Sequence, residues 1–209
     1  MTDWADETEA KLLDQALALA PGLGWSNAAV EAAGERLGLS RGDLELLLPH
    51  GPRDLAALLS RRDDATALKA LEATDAGALK IRQRIQVAVE ARLAATAAHG
   101  EAARRWAGFL ALPQNAPLGL KLAWESADAI WRWAGDTATD ENHYSKRAIL
   151  SGILLAALPI RLTSGEEAAR AFVAARIDNV MQFEKWKAGL DLGAPGRTLA
   201  GVLGRLRYR

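Results

Sequence analysis

Residues 26–48 read SNAAVEAAGERLGLSRGDLELLL, and the reading of this stretch decides the fold. Ser26 is a side chain that accepts a hydrogen bond from first-turn amides, so it predicts the start of a helix over Asn27–Leu37. Gly38 supplies the positive φ that ends such a helix at little cost. Ser40 then predicts a second cap, for a short helix over Arg41–Leu48. Capped helix, glycine turn and capped helix together have the rhythm of a helix-turn-helix. A DNA reader presents basic or amide side chains from its second helix to phosphates and base edges. Here that helix holds Arg41, Asp43 and Glu45, with Leu44, Leu46, Leu47 and Leu48. Two carboxylates repel a polyanion. The module has the shape of a DNA reader without its chemistry, and a helix trio kept for packing is expected.

Outward from this motif, the apolar residues recur at helical spacing throughout. Ala5–Ala20 is an expected helix, stopped by Pro21-Gly22. Arg53–Leu71 follows the break at Pro49–Pro52. Leu79–Ala98, Glu101–Leu110, Leu118–Ala134, Asp140–Leu158 and a helix from Ser164 to about Lys187 come next. After a linker containing Gly189, Gly193 and Pro195-Gly196, Thr198–Arg209 closes the chain. No stretch alternates like a strand and no segment repeats. The class is all-α, with about ten helices. The divisions expected are 1–50 for the helix-turn-helix-like part, 51–190 for a helical bundle, and 191–209 for linker and last helix.

Composition narrows function. The 209 residues suffice for one substantial domain, and half of them are hydrophobic, with Ala and Leu prominent. Twenty-six basic side chains balance twenty-six acidic ones, so no global field draws the chain to nucleic acid. With no cysteine, disulfides, thiol nucleophiles, zinc-thiolate sites and Fe–S clusters are excluded. The start of the chain, MTDWADETEAKLL, is acidic and amphipathic, unlike a signal peptide. The longest apolar run, Ala148–Ile160, falls short of the roughly 20 residues that span a bilayer. The expectation is a soluble protein, peripheral to a membrane at most.

Three segments bear on function. Trp131–Arg147, WRWAGDTATDENHYSKR, concentrates large rings and small polar groups around a Gly135-Asp136 turn, as recognition surfaces do. Asp140 and His143 stand three apart on a helix, the spacing of di-iron helical proteins, but the further carboxylates such a site needs are missing. No nucleophile triad or phosphate loop is visible, so no catalytic residue is named. The tail places Leu199, Val202, Leu203 and Leu206 at helical spacing among Arg197, Arg205, Arg207 and Arg209. That pattern suits an interfacial helix facing acyl chains and headgroups, or a helix docked on its own domain. Finally, the apolar residues of 118–130, 148–160 and 168–180 either fill a core or line a cavity for an apolar ligand.

One longer pattern adds a resemblance. Leu112-Pro113-Gln114-Asn115-Ala116-Pro117 leads to Asp128, Trp131, Ala134-Gly135-Asp136, Thr139-Asp140, Asn142, Tyr144 and Arg147. With Gly24-Trp25, Leu37–Ser40 and Val89–Leu93, this closely resembles the ubiquinone-biosynthesis accessory family whose eukaryotic members are the ninth Coq protein. The resemblance implies a tetracycline-repressor-like helical bundle whose helix-turn-helix region does not bind DNA. It implies a non-enzymatic protein without a cofactor, holding an isoprenoid quinone or another lipid such as a phospholipid. It implies a homodimer on the membrane surface, with the di-iron demethoxyubiquinone hydroxylase as partner and no nucleic acid. The partner-binding positions it implies are Asp128, Ile130, Trp131, Asp140, His143 and Tyr144. The membrane-binding ones are Leu199, Val202, Leu203, Arg205, Leu206 and Arg207. Without targeting residues at its start, the chain is expected in the bacterial cytoplasm, peripheral to the inner membrane. Family members often carry an aromatic where this chain has Glu141, and eukaryotic ones a Trp where it has His143. The rival class is a transcription regulator with an acyl-ligand pocket.

Overall fold

The structure, a computed structural model, describes the backbone of residues 4–137 and 141–189 and the side chains of 4–137 and 143–179. Every regular element among them is helical: α1 (Trp4–Leu23), α2 (Asn27–Arg36), α3 (Arg41–Leu47), α4 (Pro52–Ala70), a 3-10 turn (Ala76–Ala78), α5 (Ile81–Ala97), α6 (Glu101–Ala111), α7 (Ala116–Trp133) and α8 (Glu141–Gly189). The expected all-α class holds, and the arrangement is compatible with a tetracycline-repressor-like bundle. Eight α-helices are described where about ten were expected; Thr198–Arg209 lies outside the described residues.

The caps follow the sequence. Ser26 Oγ accepts from the Ala29 amide at 3.3 Å, and Leu39 N–H returns to Gly34 O at 3.0 Å across Gly38, whose φ is 68°. Ser40 and Asp43 form a reciprocal capping box. Two boundaries differ from expectation. Pro21 does not stop α1, which runs to Leu23 and ends where Gly24 adopts φ 67°. A proline near a helix end forfeits only one backbone bond, whereas a left-handed glycine reverses the chain. Similarly, Pro159 lies inside α8, and the break falls at Gly165, with φ 88° and ψ −172°.

Contacts divide the chain into two units, Met1–Val173 and Ala174–Arg209. In the second unit the described residues continue α8 to Gly189. In the first, α1 packs along α2 and α4 along α5. Leu12, Leu13, Trp25, Val30, Leu47, Leu48, Leu55, Leu59, Trp106 and Leu122 form one buried cluster. α1, α2 and α3 therefore share this cluster with α4, α6 and α7. Each fully buried leucine contributes about 1.5–3 kcal/mol. Two indoles tie helices across this core: Trp25 Nε1 donates to Ala102 O at 3.1 Å, and Trp106 Nε1 to Ala56 O at 3.0 Å.

The stretch His143–Asn179 is long and apolar enough to cross a membrane by length and composition, its best window reaching a mean hydropathy of 1.6. The uninterrupted apolar run remains Ala148–Ile160, and the helix breaks at Gly165 within the longer stretch. Core helices of globular proteins meet the same test. Here Leu150, Ile153, Leu154 and Ala157 are buried, while Ile149 and Leu155 are exposed.

Candidate functional site

The α7–α8 corner is built on one arginine. Arg147 is 2% exposed, yet carries a full charge. Its Nε donates to Asp128 on α7 at 2.6 Å, and its Nη1 to Asp136 after the turn at 3.0 Å and to His143 O at 3.1 Å. Burial works against the charge, but hydrogen bonds and attraction from the two carboxylates outweigh it and hold the guanidinium above its usual range. Each carboxylate has a second cation, Arg132 for Asp128 and Lys146 for Asp136, both at 2.7 Å. The turn itself needs glycine: Gly135 has φ 88°, and the Asp136 amide returns to Trp131 O at 3.0 Å. Arg84 Nη1 reaches from α5 to Ala134 O at 2.9 Å, so the end of α7 is also fastened to α5.

Rings surround this clamp. Trp131 Nε1 donates to Lys146 O at 3.2 Å, and the Lys146 ammonium lies 5.3 Å from the Trp131 ring centroid. Tyr144 is 63% exposed. It stacks on Trp124 at 6.4 Å and meets the His143 ring edge-on at 5.1 Å. Trp124, His143 and Tyr144 thus form a surface aromatic patch held by the buried clamp.

The residues expected for partner binding separate into two groups. His143 and Tyr144 share the patch, and Trp131 sits half-buried below it. Asp128 is a clamp residue. Ile130 is a correction: at 4% exposure it belongs to the core, because the turn of α7 that exposes Arg132 points Ile130 inward. Asp140 lies outside the described residues, as do Leu199, Val202, Leu203, Arg205, Leu206 and Arg207. Trp124 was missed in sequence, although its spacing of seven from Trp131 puts both on one helix face.

A second feature lies deeper. Helices α4 to α8 enclose a cavity of about 180 Å³ whose wall includes Leu93, Trp106, Leu110, Ala123, Leu154 and Leu158. Ser60, Arg92 and Ser126 line it too. Behind Arg92 stands a buried polar cluster. Its Nε donates to Asp64 at 2.5 Å, its Nη1 to Thr96 Oγ1, and its Nη2 to Ser60 Oγ at 3.2 Å. Thr96 donates onward to Asp63 at 2.6 Å, and His99 Nε2 lies 2.8 Å from the same carboxylate. The signal for this cluster was readable: Ile85, Val89, Arg92 and Thr96 follow helical spacing, which puts an arginine on the core face of α5.

On the helix-turn-helix region the polar groups are committed locally. Asp43 accepts from the Ser40 amide and hydroxyl, which holds its carboxyl below its usual range. Arg41 pairs with Glu45 at 2.8 Å. Leu47 and Leu48 are buried, Leu44 packs against the core, and Leu46 is 73% exposed. Gly34 admits Leu44: a Cβ there would lie 2.7 Å from Leu44 Cδ1. Among the described residues, no group of His, Asp and Glu side chains is arranged to hold a metal ion.

Comparison with known proteins gives the chain its relatives. The COQ9 family model matches residues 116–184, which takes in α7, the corner and much of α8. The Xenopus laevis protein "Ubiquinone biosynthesis protein COQ9-A, mitochondrial" is 31% identical over 159 residues, covering 71% of this chain and 49% of the relative. The Rattus norvegicus COQ9 is 31% identical over 155 residues and the Homo sapiens COQ9 28% over 154, with 71% of this chain covered in each case and 49% and 48% of the relative. The chain spans about half the length of these curated relatives. The match runs through the clamp Asp128, Asp136 and Arg147 and the patch above it, so residues 116–184 form a region of the COQ9 family, and the chain as a whole is similar to ubiquinone-biosynthesis proteins of that family.

Proposed function

We propose that this protein is a non-catalytic accessory factor of ubiquinone biosynthesis that holds a lipid-like quinone precursor and presents it to a di-iron demethoxyubiquinone hydroxylase. The observation that carries this reading is the apolar cavity among α4, α5, α6, α7 and α8. Its wall suits hydrocarbon, and burial of each CH2 contributes about 0.8 kcal/mol. It opens past Leu155 and Pro159, where α8 also exposes Ile149. A ligand leaving a membrane can enter there without crossing a polar surface. The patch of Trp124, His143 and Tyr144 is the proposed docking point for the hydroxylase. Thr198–Arg209 is the proposed membrane anchor, the protein acting as a homodimer at the cytoplasmic face of a bacterial inner membrane. The local commitment of Asp43, Arg41 and Glu45 speaks against the rival regulator, whose second helix must offer such groups to DNA.

The test is extraction of gently purified protein followed by mass spectrometry of the extract. An isoprenoid quinone precursor or another isoprenoid lipid is expected at near-stoichiometric amount. Protein free of any lipid, from cells that make ubiquinone, refutes the carrier role.

A further inference from the structure

The helix-turn-helix region has no part in the carrier reading, yet it holds a groove of about 620 Å³, against about 180 Å³ for the cavity among α4 to α8. The groove runs between α2, α3 and the link to α4. Val30 and Leu48 line it as buried side chains, and Leu44 as a half-buried one. Exposed charged groups share the lining: Glu31 and Glu35 from α2, Arg41 and Glu45 from α3. His50, before α4, lines it as well.

The charges do not cancel. Arg41 is engaged by Glu45 at 2.8 Å, and His50 faces Asp54 at 3.3 Å. Glu31 lies within the field of Arg41, but neither Glu31 nor Glu35 has a side-chain ion pair or hydrogen bond among the described residues. These two carboxylates stand one helical turn apart, where like charges repel, and a cation between them removes the repulsion. With three carboxylates against one guanidinium, the lining is negative in either protonation state of His50. The negative field continues beyond it. Asp54 accepts from the His50 amide at 2.6 Å and also acts on Glu9, whose carboxyl is held above its usual range by burial first, then by Asp6 and Asp54 against Arg61.

Such a groove repels nucleic acid and anionic bilayers alike. What fits it carries apolar side chains and cations together. A groove between two helices takes an amphipathic helix by its apolar face. From Asn27 to Glu35, α2 covers about 12 Å of axis, which accommodates about two turns of a second helix. We propose that this groove docks a basic amphipathic helix of a partner protein, its apolar side chains on Val30, Leu44 and Leu48 and a lysine or arginine between Glu31 and Glu35. The shape of a DNA-reading module is kept and its charge reversed, so that its ligand is a polycation. The groove and the cavity among α4 to α8 share no lining residue, so failure here leaves the carrier reading untouched.

The experiment uses the full chain and fluorescein-labelled peptides of about three helical turns. One has leucine at helical spacing and lysine elsewhere; a second replaces each lysine by glutamate; a third keeps the lysines and replaces each leucine by serine. Anisotropy gives affinity, and amide chemical shifts give location. The lysine–leucine peptide should bind and shift the amides of Glu31, Glu35 and Glu45. The glutamate peptide should not bind, and the serine peptide should bind at least about tenfold more weakly, the loss expected for one leucine left unburied. Glu31→Gln with Glu35→Gln should weaken the lysine–leucine peptide about two- to thirtyfold, the range for two exposed ion pairs, and flatten its salt dependence. Glu72→Gln with Glu167→Gln removes the same charge from exposed positions outside the groove and should leave affinity within about twofold. Unchanged affinity after Glu31→Gln with Glu35→Gln, an equal loss in the remote pair, or shifts confined to the α7–α8 corner overturns the proposal. The same amides shifting with duplex DNA, or with protein concentration alone, also overturns it, because the occupant is then nucleic acid or a second copy.

Discussion

Replacing Arg147 with methionine tests whether the α7–α8 corner rests on its charge. Methionine keeps most of the buried stem and removes the guanidinium. Loss of one member of a buried ion pair costs about 3–5 kcal/mol, chiefly because the abandoned charge stays buried. Asp136 retains Lys146 and Asp128 retains Arg132, so neither carboxylate is left alone. The low end, about 3 kcal/mol, is therefore expected. With a urea slope of about 2 kcal/mol per M, the unfolding midpoint falls by about 1.5 M. The triple variant carrying Arg147→Met, Asp128→Asn and Asp136→Asn removes the stranded charges together with the cation. It should regain about half of the loss, since a buried pair replaced as a unit is often neutral. Urea melts followed by far-ultraviolet circular dichroism measure all three proteins. A loss under about 1 kcal/mol for Arg147→Met, or a triple variant less stable than the single one, refutes the reasoning.

Other consequences can be measured more simply. Tyr144→Ala should change stability by less than about 1 kcal/mol, because its ring is mostly solvated, yet weaken capture of the hydroxylase in a pull-down; unchanged capture removes the patch from the docking surface. Gly165→Ala should cost about 1–3 kcal/mol in the same urea assay, since its φ and ψ lie in a region nearly confined to glycine. A cost near zero would mean that α8 straightens freely. Asp43 has a depressed pKa in the fold, so its contribution is present above the unfolded value and is lost as pH falls through the folded one. The protection factor of the Leu44 amide, the unstructured exchange rate divided by the observed rate at the same pH, should therefore fall in acid, and Asp43→Asn should flatten that dependence. Deleting Thr198–Arg209 should abolish liposome binding with helical content largely kept; retained binding refutes the anchor.

Local chemistry made much of the fold legible. Ser26, Ser40 and Gly38 announce their helix ends because capping depends on residues within one turn. Pro21 and Pro159 misled for the complementary reason: a proline's cost depends on which backbone bonds it removes, and position within the helix sets that. Ile130 shows the limit for the site. Its neighbour Trp131 is half-buried and Arg132 exposed: each step along the helix turns the side chain by about 100°, and no local signal fixes which of the three faces the core. Arg92 marks another case: an arginine at helical spacing from Ile85, Val89 and Thr96 was a signal the sequence reading did not use. The partners are distant in sequence, and only packing of α4 on α5 brings Ser60, Asp63 and Asp64 to it.

The clamp also has a consequence for how this corner tolerates change. Because Arg147 joins α8 to Asp128 and Asp136, the two helices are fastened by side chains on either side of the connection, not by the path of the chain between them. Extra residues inserted between Thr137 and Glu141 would then add only closure entropy, about 0.6 kcal/mol for each doubling of loop length. Lineages, or protein engineers, are free to lengthen that connection while the bundle beneath it is inherited unaltered.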